Sequence, residues 1–301
     1  MLQRGIPVPI LIAVAIGCSK KPNETPSGDS KGCSDIVEAT DPSTAYTIKL
    51  RNPAKDDKTE IVKTRTASET SRTANSTQKR EEKLRFEFVE TVLDTSPDEP
   101  RPTKVSRAYK VAEQTDQNAE LKSLSYAGKT VTIEKYLMGY KYMVDGKSMP
   151  VTEQIELNKE YTSNRENFDV MLPKAAVKVG EEWAVDLAAI KALSGNLPFP
   201  YHKDRSKITG KLLRAFTKKS QQWGVIEWKI EIVFDTFATN GSPIKGSLPS
   251  TVTVEGVIDG SSRAGKTTMT MKGTIDHRDM IGHEVGTTIE GTQEQTLTPV
   301  N

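Results

Sequence analysis

Three stretches of the 301-residue chain hold residue types that could do chemistry. "GSSRAGKT", from Gly260 to Thr267, fits G-x-x-x-x-G-K-[ST], the loop in which backbone amides and a lysine cradle phosphates. His277 and His283 bracket "RDMIG" with Asp276 and Glu284 alongside, and two imidazoles with a carboxylate can hold zinc. Cys18 directly follows the apolar run "ILIAVAIG", where a thiol can carry lipid. Each reading stands or falls with the element that presents the residues.

A phosphate loop needs a strand before it and a helix after it, whose positive end completes the anion site. "TVTVEGVID" supplies the strand, but "TTMTMKGTID" alternates Thr or Lys with Met, Thr or Ile, the period of a strand. Gly260 to Thr267 is therefore expected to be a hairpin loop with Lys266 on the surface, and no nucleotide is expected as a partner. The spacing of His277 and His283 matches no established metal motif, so both are expected to be ordinary hairpin residues, with neither metal nor cofactor. "HRD" at His277 resembles the kinase catalytic loop, but Glu284 stands where that loop has Asn. His202, in "PFPYHKD", sits alone in a loop, there is no G-x-S-x-G elbow, and Cys33 has no histidine near it in sequence. The chain reads as a non-enzyme. A hydrolase assembled from distant strands, without a linear motif, is the enzymatic alternative.

The amino terminus indicates location. After "MLQRG", with its single cation Arg4, the apolar run Ile6 to Ile16 is broken only by Pro7 and Pro9. That run falls short of the roughly 20 residues a membrane-spanning helix needs and reads as a signal-peptide core. Ala15-Ile16-Gly17-Cys18 resembles the bacterial lipobox, which implies that residues 1–17 are removed and that Cys18 carries the lipid, traceable with a palmitate label. Cys33 is then a lone thiol on the tether. Under cleavage by the ordinary signal peptidase, Cys18 and Cys33 could instead close a small loop. Ser19, standing where enterobacterial sorting places Asp for inner-membrane retention, implies the outer membrane, facing the periplasm or the cell surface.

Composition sets the fold class. The apolar fraction is 35%, and most apolar residues alternate singly with polar ones, as half-exposed antiparallel strands require. The formal net charge of +2 comes from interspersed signs, which excludes a basic nucleic-acid arm. "KREEKLRFEFVE", Lys79 to Glu90, carries both signs and reads as the solvated face of a strand. Residues 18–43, rich in Lys, Pro, Ser and Gly, read as a tether. Residues 44–200 read as a meander of short strands with a tight turn at Asp145-Gly146, and residues 201–298 as further antiparallel strands, the two parts able to form one domain. Thr152 to Asn164 is expected to be a helix covering the sheet with Leu157 and Tyr161, and Asp186 to Leu193 a second, capped by Asp186. Trp183 reads as a core anchor rather than a ligand-stacking aromatic. Gly256, Gly273 and Gly286 interrupt strands and call for curvature.

"GKTVTIEK", "LPKAAVKVGEEWAVD", "ITGKLLRAF" with "WGVIEWKIEI", and "GVIDGSSRAGKTTMTMKGTI" follow one another in an order similar to a group of uncharacterised lipoproteins of planctomycete type. The similarity covers most of the mature chain and implies location and fold but no catalytic residue. A looser analogy of fold alone links it to the helix-plugged half-barrels of lipoprotein carriers. The expectation is a mainly β protein, a curved antiparallel sheet, half-barrel-like or two-lobed, with one or two short covering helices. Functionally it reads as a lipid-anchored envelope protein that carries an apolar ligand, or as a structural or interaction lipoprotein with no small ligand. An apolar cavity under the helix separates the first from the second.

Overall fold

The computed structural model describes residues 36–38, 43–99, 101–115, 120–137, 139–163, 168–189, 200–237, 242–279 and 282–300. Among the described residues the first elements are β1 (Ile36–Glu38) and β2 (Ala45–Tyr46), followed by the long hairpin of β3 (Lys58–Arg72) and β4 (Thr77–Asp94). Then come β5 (Lys104–Thr115), β6 (Leu121–Ser123), β7 (Thr130–Tyr136), β8 (Gly139–Val144) and β9 (Lys147–Ser148). The helix α1 (Val151–Ser163) leads through a 3-10 turn, Phe168–Met171, to β10 (Val177–Lys178) and β11 (Glu182–Val185). Five strands close the chain: β12 (Lys207–Lys218), β13 (Gln221–Phe237), β14 (Pro243–Val257), β15 (Gly265–Arg278) and β16 (Glu284–Pro299).

Fourteen of these strands form one antiparallel sheet in the order β1-β12-β13-β14-β15-β16-β3-β4-β5-β7-β8-β9, with β11 added on β12 and β6 on β5. The sheet is two meanders welded by β16 and β3, whose ladder runs from Gly286 opposite Arg72 to Pro299 opposite Thr59. The path ends in β1 on one side and β9 on the other, so the sheet is open rather than a closed barrel. Regions 44–200 and 201–298 therefore share one sheet.

Period two decides which face is buried. In β4, Leu84, Phe86, Phe88 and Val92 turn inward while Lys83, Arg85 and Thr91 do not. Strands of 14 to 18 residues are longer than the usual 3–10 and must bend to enclose anything. Register shifts at Glu87/Phe88, Val92/Asp94 and Leu212/Arg214 supply local twist. Gly273 shows why a glycine interrupts β15: a Cβ there would run into the Ser247 carbonyl oxygen, where the β14 backbone comes close.

The buried side of the sheet holds two apolar clusters. One gathers Ile208, Leu212, Ile226, Trp228, Phe234 and Ile244 from the C-terminal meander with Met171. The other gathers Phe86, Phe88, Tyr109, Ile133 and Tyr142 from the N-terminal meander with Leu157 and Tyr161 of α1. β3 and β16 serve both, since Ala67 and Ile289 belong to the first while Ile61 and, at its margin, Leu297 belong to the second.

Local expectations meet particular residues. Asp145 and Gly146 form the turn between β8 and β9 with φ of 49° and 77°, the paired left-handed conformations that Asp-Gly favours. The covering helix begins at Val151, one residue before the expected start at Thr152, and buries Leu157 and Tyr161. Of the second helix, residues to Ala189 are described: Asp186 Oδ1 accepts a hydrogen bond from the Ala188 amide at 2.8 Å, as a cap does, and residues 190–199 lie outside the described residues.

Trp183 is a core anchor. Its indole donates to the Met171 carbonyl at 2.8 Å and lies over Gly210, where any Cβ would strike the ring. Trp228 donates to the same carbonyl at 3.0 Å and stacks on Phe168, with centroids 5.5 Å apart. Two indoles sharing one acceptor fasten the 3-10 turn to the sheet.

Candidate functional site

Between the two clusters lies a cavity of about 460 Å³. β3, β4 and β5 form one wall, the ends of β14, β15 and β16 another, and the roof comes from the last turn of α1, residues 50–53 and the 3-10 turn at Phe168. Ile61, Phe88, Val105, Tyr140, Val254 and Leu297 make much of the surface apolar.

Charged side chains stand at inward positions of the same strands. Lys63 of β3 follows Thr59 and Ile61 in the buried phase, Glu90 of β4 lies between Phe88 and Val92, and Arg107 of β5 lies between Val105 and Tyr109. Each exposes less than a tenth of its side chain. Glu160 of α1 comes down between them. Its Oε1 accepts from Lys63 Nζ at 2.8 Å and its Oε2 from Arg107 Nη1 at 2.9 Å. Arg107 Nε donates to Glu90 Oε2 at 3.0 Å, directly across the β4/β5 ladder, and Arg263 Nη1 is 3.9 Å from the other Glu90 oxygen. Lys63, Glu160, Arg107, Glu90 and Arg263 thus alternate in sign along one buried chain.

Each charge is costly to bury alone, and alternation is what makes the set tolerable. Burial by itself would raise the Glu160 pKa; Lys63 and Arg107, by charge and by hydrogen bond, outweigh it and hold the carboxyl at about 2. Burial also opposes the Arg107 charge, and the ionised Glu160 and Glu90 more than restore it, with the Tyr109 hydroxyl oxygen accepting a further hydrogen bond at 3.4 Å. The guanidinium plane is further clasped between rings, 4.5 Å from the Phe88 centroid and 4.9 Å from that of Tyr161. Burial drives the Tyr109 and Tyr161 hydroxyls well above their ordinary pKa, so both remain neutral.

These contacts hold α1 over the sheet. Tyr142 donates to Asn158 Oδ1 at 3.0 Å and Gln154 to the Met149 carbonyl at 2.6 Å. α1 has no basic residue in its last turn. Arg101, from the β4–β5 connection, supplies one: its guanidinium donates to the Tyr161 carbonyl and, at 3.0 Å, to that of Thr162.

The phosphate-loop pattern lies on this cavity, and a strand rather than a helix follows its glycine. Gly265 begins β15, and the backbone from Gly265 onward is paired in the β14 and β16 ladders. Lys266 points to the outer face, where its Nζ meets Glu294 at 2.9 Å. The loop itself is tied down: Asp259 accepts from the amides of Ser261 at 2.8 Å and Gln222 at 2.9 Å, and the Lys49 amide donates to the Ile258 carbonyl at 2.7 Å. Ser262, Arg263, Ala264, Gly265 and Thr267 face the cavity, so the loop serves as one of its walls.

The remaining sequence candidates lie apart from it. His277 is on β15 opposite Val285, and His283 Nδ1 is 3.5 Å from Asp279 Oδ2. Among the described residues no three His, Cys, Asp or Glu are grouped to hold a metal; Met280 and Ile281, within that hairpin, lie outside the described residues. The His202 amide donates to the Val233 carbonyl at 2.8 Å. Cys18, Cys33, the apolar amino terminus and the tether to residue 35 lie outside the described residues. Among the described residues no helix is long and apolar enough to cross a membrane.

Sequence reasoning missed the buried charges. Within Lys79 to Glu90, read as a solvated face, Lys79 to Glu82 are exposed or nearly so, but Glu90 is 6% exposed. The signal was there: Glu90 continues the phase of Phe86 and Phe88, and Arg107 that of Val105 and Tyr109. No known protein-family model matches the chain, and no curated protein matches it.

Proposed function

We propose that the chain is a lipid-anchored binding module of the bacterial envelope that holds a small amphiphilic molecule in the cavity beneath α1. The observation that carries this reading is the cavity: about 460 Å³, within the roughly 300–1,000 Å³ range of small-molecule sites. Its apolar walls suit a hydrocarbon or ring system. Its buried alternating charges suit a polar head, which modifies the expectation of a wholly apolar ligand. The lipobox-like Cys18 supports attachment to the membrane, from which such a ligand would be drawn, and the likeness to planctomycete-type lipoproteins supports the same location.

Filling the cavity tests the reading. Thr267 faces it from β15 and is only partly buried, so Thr267→Phe places a ring in the space with little disturbance of the packed cores. Native mass spectrometry of the full chain purified from membranes is expected to show a noncovalent adduct of lipid-like mass on the wild type and to lose it in the variant. No adduct on either protein, or equal adducts on both, would favour the structural or interaction role instead. The anchor has its own test: labelling with a clickable palmitate analogue is expected in the wild type and absent in Cys18→Ser.

A further inference from the structure

The three two-residue hairpin turns with described left-handed residues differ in chemistry. Asp145-Gly146 joins β8 to β9, and Lys219-Ser220, with φ of 50° and 61°, joins β12 to β13; both are polar. The β7–β8 turn starts at Leu137, with φ of 51°, after Tyr136. Leu137 is 79% exposed and Tyr136 64%. A leucine in the left-handed region bears steric strain that Asn, Asp or Gly largely avoids, and here it also holds a large apolar side chain in water. Neither feature helps the isolated fold, and an observed outlier of this kind points to a role in contact.

The ladders show which end of the sheet this tip occupies. Tyr136 and Gly139 lie at the end where β5 starts at Lys104, β4 finishes at Asp94 and β3 starts at Lys58 opposite Thr91. Along the sheet the same end holds the finish of β16, the β14–β15 loop, the Lys219-Ser220 turn and Ile36, which pairs with Lys218. Ile36 is where the tether from Cys18 enters the fold, and the stretch between them can extend at most ~60 Å. The cavity is bounded by loops of this same end, among them residues 50–53, Arg101 and 262–264.

We infer that the β7–β8 tip is a membrane-contact element: Leu137 and Tyr136 enter the interfacial layer of the bilayer and turn the cavity end of the sheet toward the lipid. The inference rests on the anchor at Cys18. A lipid surface supplies what the tip lacks, an apolar medium for Leu137 and the water–hydrocarbon boundary that tyrosine prefers. A ligand drawn from the membrane would then reach the cavity without crossing the water around the outer face.

The experiment uses the full lipidated chain in phosphatidylethanolamine/phosphatidylglycerol vesicles, with Cys33→Ser and one added cysteine carrying the fluorophore NBD. Leu137→Cys places the probe at the tip, and Asn75→Cys places it in the β3–β4 turn at the opposite end. At position 137 the emission is expected to shift to the blue and to be quenched by doxyl-labelled lipid; at position 75 it is expected to do neither. A chain that floats with the vesicles while both probes remain in water overturns the orientation alone. A chain that does not float and lacks lipid on Cys18 overturns the anchor and the orientation together. A blue shift at position 137 without quenching by doxyl lipid means a protein contact, which also overturns it. Leu137→Gly, which relieves the left-handed strain, is expected to melt no lower than the wild type; a lower melting point would mean that Leu137 serves the fold instead.

Discussion

The two apolar clusters are closed by opposite means. In the C-terminal one, Trp228, Phe234, Ile226 and Leu212 gather in one buried apolar cluster, with Phe168 and Trp183 packed against it at the Met171 turn. In the N-terminal one, the sheet is covered by α1, and α1 is fixed at its cavity end by Glu160 reaching Lys63 and Arg107. Apolar side chains interdigitate and leave little room. Ion pairs hold a lid at the separation the pairs dictate, and the volume beside them can stay open. The cavity lies where the second kind of closure meets the first.

The largest effect is expected in the C-terminal apolar cluster. Trp228 is fully buried, stacks on Phe168 and donates to the Met171 carbonyl. Trp228→Ala is expected to cost about 4 kcal/mol of unfolding free energy, measured by denaturant titration. A loss below about 1 kcal/mol would mean that this cluster is loosely packed and that the contrast between the two closures is false.

The lid comes second. Glu160→Gln withdraws the carboxylate that Lys63 and Arg107 share while both stay buried, and is expected to cost about 3 kcal/mol. The pH dependence has a definite sign. Glu160 has its pKa depressed from 4.5 to about 2 in the folded chain, so the folded state favours the ionised form and its contribution is fully present above pH 4.5. As pH falls from 4.5 toward 2, that contribution, about 3 kcal/mol, is lost. The stability difference between wild type and Glu160→Gln is therefore expected to shrink over this window. A difference that is constant from pH 7 to pH 2 would show that Glu160 is not the ion that holds the lid.

How much of this was legible depends on how local the cause is. The β class, the Asp145-Gly146 turn and the helix with Leu157 and Tyr161 follow from periods and pairs that act within a few residues, and the structure contains them. The weld of β16 to β3 leaves no such trace. Gly286 and Arg72 pair across most of the chain, and nothing in either strand names its partner. The cavity shares that difficulty, since its walls come from both welded meanders and its roof from a third region. The buried charges were half legible: Glu90 and Arg107 stand in the apolar phase of their strands, but reading them as a pair requires the register that sets them opposite each other. Glu160, on a helix of mixed polarity, gave no sign until α1 was laid over β3 and β5.

The smallest effect sharpens the comparison from outside both clusters. Lys266 belongs to the stretch most suggestive of catalysis, yet it stands one residue from the cavity-facing Thr267 and, by strand alternation, on the opposite face. Its side chain is 40% exposed and its partner Glu294 lies 2.9 Å away, also in contact with water. Such a pair gains little because solvent screens the charges and two long side chains must be ordered to make it. Lys266→Ala is therefore expected to change stability by about 0.5 kcal/mol or less and to leave the lipid-like adduct in place, in contrast to Thr267→Phe next to it. Titration with magnesium and a fluorescent ATP analogue is expected to give the same flat response in the wild type and the variant. Micromolar binding abolished by Lys266→Ala would mean that the outer face carries a site of its own, and that a loop serving as a cavity wall on one side is a functional surface on the other.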